Sequence, residues 1–328
     1  MQFRRLGHSG LEVSTICLGT WDGPASPARD SGRASAQRWL NLLDQAAANG
    51  VNFIDTADVY QDGRAERLVG RWLRTVDRRQ VVVATKVGGR TWDGSNGDGY
   101  GRKHVREACE ASLRRLDIDY IDLYQLHSPD PGTPVEETIS AMTTLVSTGK
   151  ILYWGLSNWP VAAAGDLIQY ACASNAAVPI SVQNRLNLLG FKESSEYEKL
   201  TRLGLLAYSP LAQGLPSDRQ LNGKAAPGSR VAKDRFLRER WSSLQGRLHE
   251  LSRLAHQWNI SLSQLALAWL LHQPAVCSAV IGASDQRQLV ENIAAADVML
   301  SPQDLRNIDE VIARTKAVKA NCARQVRV

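Results

Sequence analysis

Eight short apolar runs recur along the chain, each nearly unbroken and separated from the next by a segment of helical period. This alternation constrains the fold more than any other feature. The runs are "STICLG" (14–19), "VNFID" (51–55), "QVVVATK" (80–86), "YIDLYQLH" (120–127), "ILYWGLS" (151–157), "ISVQN" (180–184), "LLAYS" (205–209) and "VCSAVIG" (276–282). A strand exposed on one face alternates apolar and polar residues, whereas continuous apolarity marks strands covered on both faces, as in a parallel sheet wrapped by helices.

The helical segments are residues 35–50, 64–75, 102–117, 133–149, 160–174 and 193–204, a longer region around 240–273, and 285–297. Gly50, Gly149 and Gly204 stand where C′ glycines close helices, and Pro134 and Pro160 stand near helix starts. An open doubly wound sheet shares this alternation, but no run is followed by GxGxxG, the turn with which such sheets approach a pyrophosphate. The prediction is therefore an α/β fold of the closed (β/α)8 TIM-barrel type, taking residues 1–328 as one domain. "FRRLGHSGLEVS" (3–14) precedes the first barrel strand as a hairpin turning at "HSG". "SPQDLRNIDEVIARTK" (301–316), with Ser301 as cap and Pro302 in the first turn, adds one helix, followed by a loose basic end.

An apolar fraction of 44% and a charged fraction of 22% supply an ordinary globular core. The net charge of +6 is scattered apart from a basic cluster between Lys224 and Arg240, so it reads as a solubility feature, and no nucleic-acid partner is expected. Five cysteines, Cys17, Cys109, Cys172, Cys277 and Cys322, are widely spaced, with neither CxxC nor a His pair at metal-ligand spacing. They read as reduced thiols of a cytoplasmic protein, with no metal site. No stretch approaches the roughly 18 uninterrupted apolar residues of a membrane span, so no membrane association is expected, and the sequence carries no sign of oligomeric state.

Barrel active sites form at the C-terminal ends of the strands. Asp55 ends the second run, Lys86 the third and His127 the fourth, and Tyr60 lies a few residues beyond Asp55. Singly, each reads as a loop aromatic, a solvated strand end or a core histidine; together they form one set on a shared rim. "GVNFIDTADVY", "VVVATKVG", "YIDLYQLHSPD" and "GLSNW", followed in order by "AYSPLAQG" and "IGASDQRQLVEN", resemble the aldo-keto reductase superfamily over nearly the whole chain. The resemblance implies hydride transfer from a nicotinamide to a carbonyl, with Asp55, Tyr60, Lys86 and His127 matching the catalytic tetrad.

Residue chemistry agrees with that implication. Hydride addition turns a carbonyl oxygen into an alkoxide, which needs a proton from a nearby acid such as Tyr60. A phenol with pKa about 10 transfers its proton more readily beside an ammonium, so Lys86 is expected to lower the pKa of Tyr60. Asp55 would keep Lys86 charged, and neutral His127 would donate a ring N–H to the carbonyl oxygen.

The resemblance further implies that Ser157, Asn158 and Gln183 bind the nicotinamide carboxamide and that Tyr208 stacks on its ring. Ser209, Leu211, Gln213 and Gly214 match positions near the pyrophosphate, and Lys224 and Arg230 match a cofactor-covering loop. Gly282, Ala283 and Ser284 would lie under the adenosine half, while Gln288, Glu291 and Asn292 match adenine contacts. NADPH is the family default. Ser284 and Asp285 nevertheless stand where many NADPH-selective relatives carry a cation, and Asp285 pointing inward would repel a 2′-phosphate, so NADH or dual use stays open, with Arg287 a compensating cation. Trp21, Trp92 and Trp159 are candidates for the wall of the substrate pocket, with Tyr100 a further one. The expected substrate is a small carbonyl compound, an aldehyde, a ketone or a keto sugar. The alternatives are a nicotinamide-binding partner protein with little turnover and a Schiff-base lyase using Lys86.

Overall fold

The structure is a computed structural model that describes residues 1–21, 33–190, 194–197, 199–200 and 202–325. A small antiparallel hairpin pairs β1 (Phe3–Arg5) with β2 (Glu12–Ser14). Eight strands then form the barrel: β3 (Ile16–Gly19), β4 (Phe53–Asp55), β5 (Val82–Val87), β6 (Ile121–Leu126), β7 (Ile151–Ser157), β8 (Ser181–Arg185), β9 (Gly204–Tyr208) and β10 (Val276–Ile281). Each pairs in parallel with its sequence neighbour, and β10 pairs with both β9 and β3, which closes the ring. The surrounding helices are α1 (Arg33–Ala48), α2 (Arg64–Leu73), α3 (Arg102–Leu116), α4 (Val135–Ser147), α5 (Val161–Ala173), α6 (Ser194–Tyr197), α7 (Arg230–Lys233), α8 (Arg235–Gln257), α9 (Leu262–Leu271), α10 (Gln286–Ala294) and α11 (Pro302–Gln325). Every one of the eight apolar runs coincides with a barrel strand to within one or two residues at either end.

Two layers of core follow from the strands having two covered faces. The outer layer joins strand residues such as Ile54, Val83 and Tyr124 to helix residues such as Trp72, Leu113 and Trp269. The inner layer fills the lower barrel with Cys17, Phe53, Val82, Ala84, Leu123, Leu206 and Val280, and the hairpin inserts Leu6 and Val13 beneath it. Water is thereby excluded from the bottom of the barrel, leaving the C-terminal end as the open one.

Helix boundaries follow local chemistry. Ser261 and Gln264 form a reciprocal capping box at the start of α9, and Gly50 and Gly149 adopt φ of 81° and 70° just past α1 and α4. Gly204 does not close a helix as expected; it opens β9. The reason is steric, because a Cβ there would lie 2.7 Å from the Gly7 amide nitrogen and 2.7 Å from Leu6 Cδ1. Of the expected helix 193–204, residues 193, 198 and 201 lie outside the described set, and α6 is the helical part described. The final helix runs to Gln325, past the expected end at residue 316, since nothing in 317–325 is a Gly or Pro that would break it.

Gly204→Ala is expected to overpack the hairpin against the barrel floor and cost about 1–3 kcal/mol. Urea unfolding should show a lowered midpoint at unchanged slope, and an unchanged midpoint would contradict this close packing.

Candidate active site

The upper barrel interior replaces apolar residues by four polar ones, Asp55 from β4, Lys86 from β5, Gln125 from β6 and Gln183 from β8. Lys86 and Asp55 are only 1% and 2% exposed. Lys86 Nζ donates to Asp55 Oδ1 at 2.5 Å, to the Thr56 carbonyl at 2.8 Å and to the Tyr60 hydroxyl at 3.2 Å. An ammonium has three donors, so this set is complete. Asp55 Oδ2 accepts from Gln183 Nε2 at 2.7 Å and Gln125 Nε2 at 3.2 Å, which ties the carboxylate across the barrel. Gln125 is a member of this cluster that the sequence reading passed over, because a Gln inside "YIDLYQLH" looks like strand filler.

Burial alone would strip the proton from Lys86, but the Asp55 charge and the Tyr60 oxygen outweigh it and hold the ammonium above the ordinary lysine range. A Schiff-base nucleophile must be a neutral amine, so Lys86 in this setting is poorly placed to serve as one. The Tyr60 phenol is shifted mainly by burial, which raises it; Lys86 pulls back without prevailing, and the net direction is upward. The expected lowering of Tyr60 is therefore corrected for the protein on its own, because desolvation outweighs the neighbouring cation. His127 is pushed down to about 4, first by burial and then by the Lys86 charge, and so is neutral at pH 7. Its ring meets that of Tyr60 edge-on, with centroids 5.9 Å apart. A phenol and a neutral imidazole thus face the same opening above one buried cation.

Asn158 stitches the rim above them. Its left-handed backbone (φ 60°) turns Nδ2 to the His127 carbonyl at 2.9 Å and Oδ1 to the Tyr208 hydroxyl at 2.7 Å. Ser157 is buried beside it, with its hydroxyl 3.3 Å from Asn158 Nδ2. Beyond Tyr208, Ser209, Ala212, Gln213 and Gly214 all have positive φ, and Leu211 lies among them. Within this run the Ala212 and Gly214 amides donate to the Ser209 and Leu211 carbonyls at 2.9 and 2.7 Å, so it forms two tight turns at the rim. Arg230, at the start of α7, lies over the Trp21 ring at 5.6 Å, so the segment after β9 reaches the end of β3; Lys224 in the same segment is exposed.

The expected adenosine end divides into two groups. Asp285 caps its own helix, accepting from Gln288 N at 2.8 Å, and Gln288 Oε1 accepts from Ser284 N at 2.7 Å. Gly282 and Ala283 link β10 to it. A cleft of about 750 Å³ beside this link is lined by Gln37, Arg38, Asn41, Leu42, Ser284, Asp285, Gln286 and Arg287. Arg38 comes from α1 and was not legible as part of a site because its helix is remote in sequence. Glu291 accepts from Ser261 at 2.6 Å and so braces α9 against α10, whereas the buried Asn292 Nδ2 has no partner among the described residues.

The aromatic candidates separate. Trp21 is 45% exposed and Trp159 is half-buried with an indole N–H that has no partner among the described residues, but Trp92 packs on His104 at 4.7 Å. Tyr100 is buried, its hydroxyl donating to the Ser128 carbonyl and accepting from Ser128 N, so it braces loops and does not face the opening.

A second buried cluster lies just behind the site. Glu66 is held by Arg115 Nε at 2.6 Å and by the Thr85 hydroxyl at 2.7 Å, while neither carboxyl oxygen of buried Asp58 has a side-chain partner among the described residues. Burial first, and then the Glu66 charge, raise Asp58 to about 7, against the pull of Arg115 and Lys86.

The model of the Aldo/keto reductase family matches residues 15–313. A protein of Oryza sativa subsp. japonica described as a probable voltage-gated potassium channel subunit beta is 37% identical over 95% of this chain and 97% of its own length. One of Arabidopsis thaliana with the same description is 34% identical over the same shares.

Asp58 keeps its proton in the native protein to about pH 7 but would lose it near pH 4 when unfolded. In that window the native state binds the extra proton, so this contribution is complete below pH ~4 and is lost as pH rises to ~7. Asp58→Asn removes the loss: its stability advantage over wild type should widen by about 2–3 kcal/mol between pH 5 and pH 8 in urea unfolding. Parallel curves for the two proteins would show that Asp58 is solvated or paired.

Proposed function

The chain belongs to the aldo/keto reductase family, and from that premise we propose that it is an oxidoreductase that reduces the carbonyl of an aldehyde or ketone to an alcohol. The carrying observation is the saturated ammonium of Lys86 beneath the Tyr60 phenol, with neutral His127 beside it. A bound nicotinamide supplies the hydride for the carbonyl carbon. Tyr60 gives its proton to the carbonyl oxygen, His127 fixes that oxygen through a ring N–H, and Lys86 stabilises the phenolate that remains. Asp55 keeps Lys86 charged and in place.

Residues for the cofactor fit at the adenosine end, where Asn292 Nδ2, without a partner among the described residues, suits an acceptor such as adenine nitrogen. We assign Ser157, Asn158, Gln183 and Tyr208 to the nicotinamide end, and Ser209, Leu211, Gln213, Gly214, Lys224 and Arg230 to the phosphates. Gly282, Ala283, Ser284, Gln288 and Asn292 take the adenosine end, with Glu291 in a bracing role. NADPH is the favoured form, because Asp285 is turned to its own helix and Arg38 and Arg287 line the adjacent cleft. Cys17, Cys109, Cys172 and Cys277 carry no disulfide, which supports a cytoplasmic setting, and no helix among the described residues is long and apolar enough to cross a membrane.

A second reading has its own support: relatives at 37% and 34% identity over nearly their full length are described as channel subunits. On that reading the chain binds nicotinamide and acts chiefly through a partner protein, with little turnover.

Fluorescence titration with NADPH and NADH, followed by an activated aromatic aldehyde, separates the two. Tighter binding of NADPH and its oxidation by wild type, with Tyr60→Phe slower by about 10²–10⁴-fold at nearly unchanged cofactor affinity, are expected. Binding without oxidation across a broad carbonyl panel favours the partner reading. Undiminished turnover in Tyr60→Phe removes Tyr60 as the acid.

A further inference from the structure

Arg185 is a cation at the rim that neither the fold nor the proposed hydride transfer uses. Strand alternation fixes its direction. Gln183 faces into the barrel, where it reaches Asp55 at 2.7 Å, so Arg185, the second residue after it and the last of β8, faces the same way about 7 Å nearer the opening. The intervening Asn184 faces outward and donates to the Trp159 carbonyl at 2.9 Å.

Parallel pairing sets Arg185 beside Tyr208, which follows inward-facing Leu206 by two residues on β9. Tyr208 feels the guanidinium: burial raises its phenol, and the Arg185 charge opposes that rise. Through Asn158 the same phenol is tied to the backbone of His127. Arg185 thus belongs to the ring of side chains around the opening that Tyr60 and His127 face.

Some arginines of the protein have carboxylate partners, among them Arg78 with Asp122, Arg115 with Glu66, Arg90 with Asp98 and Arg74 with Asp117, whereas others such as Arg71 and Arg106 resemble Arg185 in having none among the described residues; what sets Arg185 apart is its place on the barrel rim. Arg185 is exposed and has no hydrogen bond or ion pair through its side chain among the described residues. A guanidinium is a planar fork of donors matched to carboxylate and phosphate oxygens. Left without an acid at the exposed end of β8, it is available to one brought by a ligand.

We propose that Arg185 recognises an anionic group, a carboxylate or phosphate, on the carbonyl substrate. The proposal rests on the reductase reading, which puts the reacting carbonyl between Tyr60 and His127; the acid group then lies toward the end of β8. The substrate class is an oxo acid or a phosphorylated aldehyde or ketone, in preference to a neutral one.

The test uses 4-carboxybenzaldehyde, 4-formylphenyl phosphate and the neutral methyl 4-formylbenzoate as substrates, and the corresponding alcohols as ligands in calorimetric titration. Wild type, Arg185→Gln and Arg185→Lys are compared after thermal melts establish that each is folded. Wild type should favour at least one anionic compound over the ester by roughly tenfold or more, the effect of one charge-assisted pair, and the better of the two identifies the acid. Arg185→Gln should lose that preference through KM and through alcohol Kd, with kcat little involved, and Arg185→Lys should restore part of it. Equal anion-to-ester ratios in wild type and Arg185→Gln overturn the proposal. Alcohol binding that keeps an Arg185-dependent preference while no aldehyde is reduced supports the recognition role and instead removes the reductase reading.

Discussion

The ion pair between Lys86 and Asp55 is the interaction on which the rest of the site depends. Two charges this deeply buried are tolerable only when each is fully matched, and removing one partner from such a pair typically costs 3–5 kcal/mol. Here the match is distributed over four strands and a turn: Asp55 on β4, Lys86 on β5, Gln125 on β6, Gln183 on β8 and the Thr56 carbonyl after β4. The barrel must close in this register for those atoms to meet. The polar layer is thus both a product of the fold and a check on its register, since a one-residue slip of any strand would turn its polar residue into the outer core.

The apolar lower barrel gives that layer its electrostatic strength. With the hairpin's Leu6 and Val13 beneath Phe53, Leu123 and Leu206, water is kept from the floor, and the Lys86 charge acts upward on Tyr60 and His127 with little screening. Burial keeps His127 neutral with the Lys86 charge adding to it, and that charge offsets part of the cost of a phenolate at Tyr60. The same dryness explains why Tyr60 alone stays above its ordinary range: the site is arranged for the moment when a substrate oxygen takes the phenol proton.

Much of this was legible in the sequence because two strong signals coincide. Continuous apolarity located all eight strands, and polar residues at their C-terminal ends located Asp55, Lys86 and His127. What stayed hidden depends on tertiary proximity. Gln125 and Arg38 join their clusters from elements whose sequence gives no hint of the neighbour, and Gly204 serves a close approach to Gly7 that mimics a helix-closing pattern. Tyr100 looked like a pocket aromatic until its hydroxyl was found on Ser128. For Tyr60 the identity of the neighbouring cation was right, but the sign of the net shift turned on burial, which sequence does not carry.

Coupling between the buried ammonium and the phenol can be measured directly by titrating [¹³Cζ]tyrosine signals by NMR in wild type and Lys86→Met, with Tyr60→Phe assigning the resonance. Tyr60 is predicted to titrate above the usual tyrosine value in wild type and higher still without the Lys86 charge. A Tyr60 titration that Lys86→Met leaves in place, or moves downward, would contradict the account.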